Sequence, residues 1–115
     1  MSFKIKRAYD PPEPTDGHRV LVDRLWPRGL TKQKLRVDAW LKELAPSTDL
    51  RKWIHQDPSR WSEFKRRYIR EMGAHPDLIA DLRKKGRSSV VTLVFSAKDP
   101  LHNNATVLKE YLEKS

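Results

Sequence analysis

The chain has 115 residues, a length typical of one domain with a true hydrophobic core, and we expect residues 1–115 to form a single α/β domain. The absence of cysteine excludes disulfides, thiolate zinc sites and thiol catalysis. Lys and Arg number 24 against 15 Asp and Glu. The resulting net charge of +9 favours anionic partners, although a basic, solvated surface explains it at least as well.

The amino terminus lacks the apolar core of a signal peptide. The main apolar runs, residues 20–22 and 90–95, are too short to cross a bilayer. We therefore expect a cytoplasmic protein with no membrane association.

Two strands open the chain. Residues 3–9 largely alternate apolar and basic side chains, as in a half-exposed or edge strand. A connector with three prolines follows at residues 10–17. Residues 20–25 form the second strand, and the short connector leaves two arrangements open. Either the first strand is antiparallel to the second, or the loop carries the chain to a non-adjacent position.

The middle of the chain predicts four helices. After a lead-in at residues 31–34, the spacing of apolar side chains predicts a short helix over 37–44, ended by Pro46. Ser47 or Thr48 caps the next helix, over residues 49–55.

The clearest helix runs over residues 58–73, with Asp57 as its N-cap and Gly73 as its stop. Its predicted buried face comprises Trp61, Phe64, Tyr68 and Met72. A further helix over residues 77–85 is closed by Gly86.

Residues 88–95 are a near-continuous β-preferring run, typical of a central strand covered on both faces. A final helix follows, capped by Asn103 or Asn104. Its predicted buried face consists of Val107, Leu108, Tyr111 and Leu112. This order predicts a small, mostly parallel sheet of about three strands covered by about five helices, with the second and last strands parallel.

Ligands of parallel sheets bind beyond the carboxyl ends of the strands. Two segments follow the best strands, residues 23–29 and residues 96–104, and we expect them to form one site. Asp23 and His102 are its candidate catalytic residues. The candidate ligand-binding residues are Arg24, Trp26, Arg28, Ser96, Lys98, Asn103 and Asn104.

The chemistry of these residues suits an anion. The start of the last helix offers free N–H groups, and arginines grip carboxylate or phosphate with two hydrogen bonds. Each residue also has a structural interpretation. Asp23 can pair with an arginine, His102 can cap the turn, the asparagines can be helix caps and the tryptophans can be core.

The sequence specifies no cofactor, and its four histidines lack the paired spacing of metal ligands. Ser96 stands at a strand end before a small residue, but the sequence supplies no base for a serine nucleophile. We expect a small anionic ligand, phosphate or carboxylate, which the protein either binds or transforms. The alternatives are a nucleic-acid-binding module and a regulatory or interaction protein. The basic residues that favour nucleic acid are Arg66, Arg67, Arg70, Arg83, Lys84 and Lys85.

Four segments carry a family resemblance: residues 9–12, 22–29, 40–47 and 98–105. With the highly specific string Asp-Arg-Leu-Trp-Pro-Arg-Gly at 23–29, the chain resembles the domain of unknown function 488, in its short YeaO-like branch. Longer relatives carry a cysteine–histidine–arginine segment near the position of His102. This chain has no cysteine and has Asn103 in place of a basic residue, so thiol chemistry does not carry over. The resemblance implies an α/β fold with a site at these two loops, and no substrate.

Overall fold

The computed structural model describes residues 1–114, which form a parallel four-stranded sheet flanked by helices. The strands lie in the order β1-β4-β2-β3. Their bounds are Ser2–Arg7 (β1), His18–Leu21 (β2), Ala39–Trp40 (β3) and Val90–Phe95 (β4). The predicted α/β class and the parallel pairing of the second and last predicted strands are confirmed. Of the two arrangements left open for the first strand, the non-adjacent one is correct, because β4 lies between β1 and β2.

Residues 1–114 contain five α-helices, of which four lie between strands and the last follows β4. They are Lys32–Leu35 (α1), Thr48–Gln56 (α2), Trp61–Met72 (α3), Pro76–Ser88 (α4) and Asn104–Glu113 (α5). Short 3-10 turns at Pro14–Asp16, Lys42–Leu44 and Pro58–Arg60 complete the connections. Within residues 1–114, no helix has the length and apolar character needed to cross a bilayer.

The sheet is covered on both faces. Leu93 of β4 belongs to the larger apolar cluster, which contains Phe64, Tyr68 and Met72 of α3. Val94 points to a smaller cluster with Leu21 and Leu35 on the other face. The buried run of β4 thus matches its predicted role as the central strand. Trp61, placed in the core by its spacing, is only partly buried.

The predicted helix over residues 37–44 is wrong. Arg36 takes a left-handed conformation (φ 51°) that ends α1, and the chain then runs along the free edge of β2. The backbone N–H groups of Asp38 and Leu41 donate to the carbonyls of Arg19 and Leu21. Pairing with the free edge of β2 is thus favoured over the helix that the spacing predicts, because the pairing gives partners to backbone groups of β2 that would otherwise have none. This edge adds β3, the strand beyond the predicted three.

Gly86 does not close α4, which continues to Ser88. The glycine lies instead under the ring of Phe3, where an added Cβ would come within 2.5 Å of the ring. Glycine is therefore required here for close packing between α4 and β1 rather than for ending the helix.

A buried ionic cluster anchors the amino-terminal end of β2. The Asp16 carboxylate accepts hydrogen bonds from Arg19 (2.6 Å), from Lys6 (3.1 Å) and from the Glu13 N–H (3.0 Å). The Arg19 guanidinium also donates to the carbonyls of Leu35 and Arg36. Although burial raises the pKa of Asp16, these hydrogen bonds and the charge of Lys6 outweigh it and lower the pKa below its ordinary 3.8.

Asp16→Asn should destabilise the protein by about 3 kcal/mol at neutral pH, because it leaves Arg19 buried without its carboxylate. Because the pKa of Asp16 is lower in the folded state than in the unfolded state, its ionised carboxylate stabilises the protein at pH values above the unfolded pKa of 3.8. This stabilisation is lost as the pH falls through the folded pKa. Urea unfolding across this acidic range should therefore show the wild type converging on the variant.

The matched control is Glu13→Gln, which removes the exposed partner of Lys6. It should cost less than about 1 kcal/mol, as exposed ion pairs do. Equal losses in the two variants would contradict the anchoring role of Asp16.

Candidate ligand-binding site

Three loops meet at one edge of the sheet, because parallel strands all present their carboxyl ends there. Tyr9 follows β1, residues 22–30 follow β2 and residues 96–103 follow β4. The Tyr9 hydroxyl donates to the carbonyl of Arg28 (3.0 Å), which links the outer two loops. The structure therefore brings the two segments singled out from the sequence to the same edge.

Asp23 is the joint between these loops. One carboxylate oxygen accepts from the Ser96 N–H (2.8 Å), and the other accepts from Asn104 Nδ2 (3.1 Å). Asn104 also donates to the Val22 carbonyl (2.7 Å), and the indole of Trp40 donates to the Asp23 carbonyl (2.7 Å). Asp23 therefore ties the ends of β2 and β4 to the start of α5.

The environment of Asp23 disfavours the ionised form of its carboxyl group. Burial raises the pKa of this carboxyl above its ordinary value. The hydrogen bonds from Ser96 and Asn104 and the positive charge of Arg51 oppose that rise without cancelling it. Asp23 is thus a partly buried carboxylate whose hydrogen-bond donors are structural.

The loop after β4 is held by local hydrogen bonds. Asp99 accepts from the N–H groups of Leu101 and His102, which lower its pKa, and from the His102 ring (3.1 Å). Asn103 is the N-cap of α5, accepting from the Thr106 N–H (2.9 Å) and donating to the Asp99 carbonyl. Asn103 and His102 thus fulfil their structural interpretations, while His102 keeps an exposed side chain.

These loops form one wall of a cleft of about 1120 Å³. The opposite wall comes from α2, the turn at residues 58–60 and the first residues of α3. We use "the cleft" for this space. Of the sequence-predicted site residues, the lining contains Asp23, Trp26, Arg28, Ser96, Lys98, His102, Asn103 and Asn104.

Arg24 is the predicted site residue that lies outside this lining. Its guanidinium donates to the carbonyls of Pro46 (3.1 Å) and Ala45 (3.2 Å), so it fastens the chain before α2. Trp26 lines the cleft but donates its indole N–H to the Leu30 carbonyl and packs edge-on against Trp40. Both side chains are committed to holding loops in place.

Three cationic side chains line the cleft: Arg28, Arg51 and Lys98. Arg28 and Lys98 are exposed. Arg51, on α2, was not predicted from the sequence, where it reads as a solvated residue of an amphipathic helix. Its Nε is fully buried and has no hydrogen-bond partner within the described chain. The Ser96 hydroxyl, also in the lining, is buried and unpartnered in the same sense.

An aromatic group forms the far side of the cleft. Trp61 and Phe64 stack with ring centroids 5.0 Å apart, and the His102 ring stands edge-on to Trp61 at 5.2 Å, with the two planes at 88°. This contact joins α3 to the loop before α5. It also explains why Trp61 is not fully buried, since the indole belongs to the wall of the cleft.

The basic residues of α3 and α4 are mostly paired within the chain. Glu63 contacts Arg66 (3.1 Å) and Arg67 (3.8 Å), and Arg67 also lies over the ring of Trp53. Arg83 donates to the last carbonyls of α5, at Tyr111 and Leu112. Lys85 pairs with Asp81 and Lys84 is exposed.

Comparison with known sequences places the chain in a family. The family model described as "Inactive DUF488-N3 subclade" matches residues 2–115. The chain belongs to this DUF488 family. A relative in Escherichia coli K12, "Uncharacterized protein YeaO", is 44% identical over 97% of both chains. "Uncharacterized protein Rv3073c" of Mycobacterium tuberculosis H37Rv is 43% identical over 95% of this chain and 92% of its own length. No solved structure matches.

Among residues 1–114 there is no group of three or more His, Asp or Glu side chains arranged to hold a metal ion. The family match confirms the DUF488 resemblance seen in the sequence. The roles of the individual site residues remain predictions.

The Asp23 joint can be tested with Asn104→Asp, which places a second carboxyl beside the first. At neutral pH the variant should lose about 1–3 kcal/mol of unfolding free energy, because a donor to Asp23 becomes a like charge. The folded pKa of this pair is raised, so the native state binds more protons than the unfolded state. The loss should therefore shrink as the pH is lowered, which urea unfolding at several pH values measures.

Gln33→Glu, which adds a carboxylate at an exposed position of α1, controls for the change in net charge. A loss in Asn104→Asp that stays constant with pH would contradict the direct contact between residues 23 and 104.

Proposed function

We propose that this protein binds a small anionic ligand, a phosphate or carboxylate compound, in the cleft and does so without transforming it. The observation that carries the proposal is the convergence of Arg28, Arg51 and Lys98 on the lining of one cleft. Guanidinium and ammonium groups that line the same space can form charge-assisted hydrogen bonds to one oxyanion.

Arginine suits this task because its guanidinium forms two parallel hydrogen bonds to phosphate or carboxylate. Lys98 contributes a single flexible charge near the start of α5, whose free N–H groups add positive potential. The lining also contains two carboxylates, Asp23 and Asp99, which offset part of this positive charge, but the three cations outnumber them.

Several features favour binding over catalysis. Both oxygens of Asp23 accept hydrogen bonds that hold the loops together, which gives this carboxylate a structural role. The chain has no cysteine, so the thiol chemistry implied for longer relatives is excluded. The family's own description as inactive agrees with a binding role.

A nucleic-acid surface on α3 and α4 is less well supported. Such a surface needs cations that are free to neutralise phosphates. Here Arg66, Arg83 and Lys85 are engaged by neighbouring groups of the same chain.

The proposal predicts that inorganic phosphate raises the melting temperature of the wild type, since a ligand of the folded state stabilises it. Arg51→Ala should reduce that shift by about half or more, and Arg28→Ala should also reduce it strongly. Lys98→Ala should reduce it less, because one charge cannot form a two-bond fork. Differential scanning fluorimetry with chloride at matched ionic strength measures the three effects.

The matched control is Lys84→Ala, which removes an exposed cation outside the cleft. Phosphate also stabilises proteins non-specifically, and that effect should be the same in every variant. A phosphate shift that is equal in the wild type, Arg51→Ala and Lys84→Ala would therefore refute the site.

A further inference from the structure

We infer that the ligand of the cleft joins its anionic group to a planar nitrogen heterocycle, as a nucleoside monophosphate does. This inference rests on the proposed anion site and adds the class of compound that the site accepts. It is argued from the size of the cleft, from its aromatic wall and from the hydrogen-bond acceptors of Asp23 in its lining.

The cleft is much larger than an inorganic anion requires. Its volume of about 1120 Å³ slightly exceeds the range typical of small-molecule sites. A phosphate held by the cationic side chains would occupy only a small part of it. The remaining space can accommodate a further, substantially larger group on the same ligand.

The aromatic wall specifies a planar group. Trp61 and His102 meet at nearly a right angle and form an aromatic corner. Because Phe64 already stacks on Trp61, a flat ring stacks on the exposed His102 ring or on the part of Trp61 that Phe64 leaves free, and it then points its edge at the face of the other ring. Stacking of this kind is how proteins hold bases without reading their sequence.

One polar group favours a nitrogen heterocycle over a hydrocarbon ring. Asp23 lines the cleft, and each of its oxygens accepts one hydrogen bond from an N–H group of the protein. A carboxylate oxygen can accept a second hydrogen bond. Ring N–H and amino groups can donate to these oxygens, whereas a phenyl ring cannot.

The test compares inorganic phosphate, ribose 5-phosphate, adenosine and AMP by isothermal titration calorimetry. AMP should bind about five- to a hundredfold more tightly than ribose 5-phosphate, the gain expected from stacking one base. Adenosine should bind more weakly than AMP, because it lacks the anion.

Trp61→Leu removes the ring while keeping an apolar side chain, and it should bring the affinity for AMP down to that for ribose 5-phosphate. Trp53→Leu is the matched control, since Trp53 is also partly buried against the core but lies outside the cleft. If Trp61→Leu fails to fold, His102→Ala replaces it, because the exposed His102 side chain can be removed at little cost to the core.

The outcomes separate the inference from the proposed function. Equal affinities for AMP and ribose 5-phosphate, together with loss of both in Arg51→Ala, would overturn the heterocycle and keep the anion site. No binding of any phosphate compound would overturn both. An AMP preference that survives in Trp61→Leu and in His102→Ala would overturn the aromatic corner as its cause.

Discussion

The cleft depends on one partly buried carboxylate. Asp23 receives the Ser96 N–H at the end of β4 and the Asn104 amide at the start of α5, while its own backbone carbonyl receives the Trp40 indole from β3. Burial makes the charge costly, as the raised pKa of this carboxyl indicates. In that position the carboxylate holds several segments in one arrangement, and it fixes the spacing of the loops that carry Arg28 and Lys98.

The sequence predicted which segments would meet at this edge of the sheet because of a general property of parallel sheets. Residues that follow β2 and β4 had to lie at one edge once those strands were parallel, and the polar residues at 23 and 104 do meet there. Local signals narrowed two helix caps to neighbouring pairs, Ser47 or Thr48 and Asn103 or Asn104. The structure selects Ser47 and Asn103, where a side-chain oxygen accepts a backbone N–H.

The sequence failed where distant segments decide the structure. Residues 37–44 have helical spacing, but the free edge of β2 attracts their backbone. Gly86 has the signature of a helix stop, but the Phe3 ring decides its role. Arg51 gives no sign of its function because its neighbours in the cleft lie far away in the sequence. The use of Trp61 as a cleft wall was likewise hidden, since spacing alone cannot distinguish a core indole from one at the rim of a cavity.

The high net charge divides into two populations. On α3 and α4 several cations form ion pairs or donate to helix carbonyls, as Arg66 and Arg83 illustrate, whereas Arg70 and Lys84 are exposed. In the cleft, Arg28, Arg51 and Lys98 line one space. Our proposal of a small ligand in place of a polymer rests on this location of the cations rather than on their number.

The most direct measurement is a phosphate titration of the isotope-labelled protein followed by two-dimensional NMR. Our account predicts saturable shifts in the amides of the loops after β2 and β4 and at the start of α2. The guanidinium N–H signals of Arg51 should move with them as this side chain gains an anionic neighbour. Shifts confined to the outer faces of α3 and α4, or shifts that grow linearly with phosphate and leave Arg51 unchanged, would contradict it.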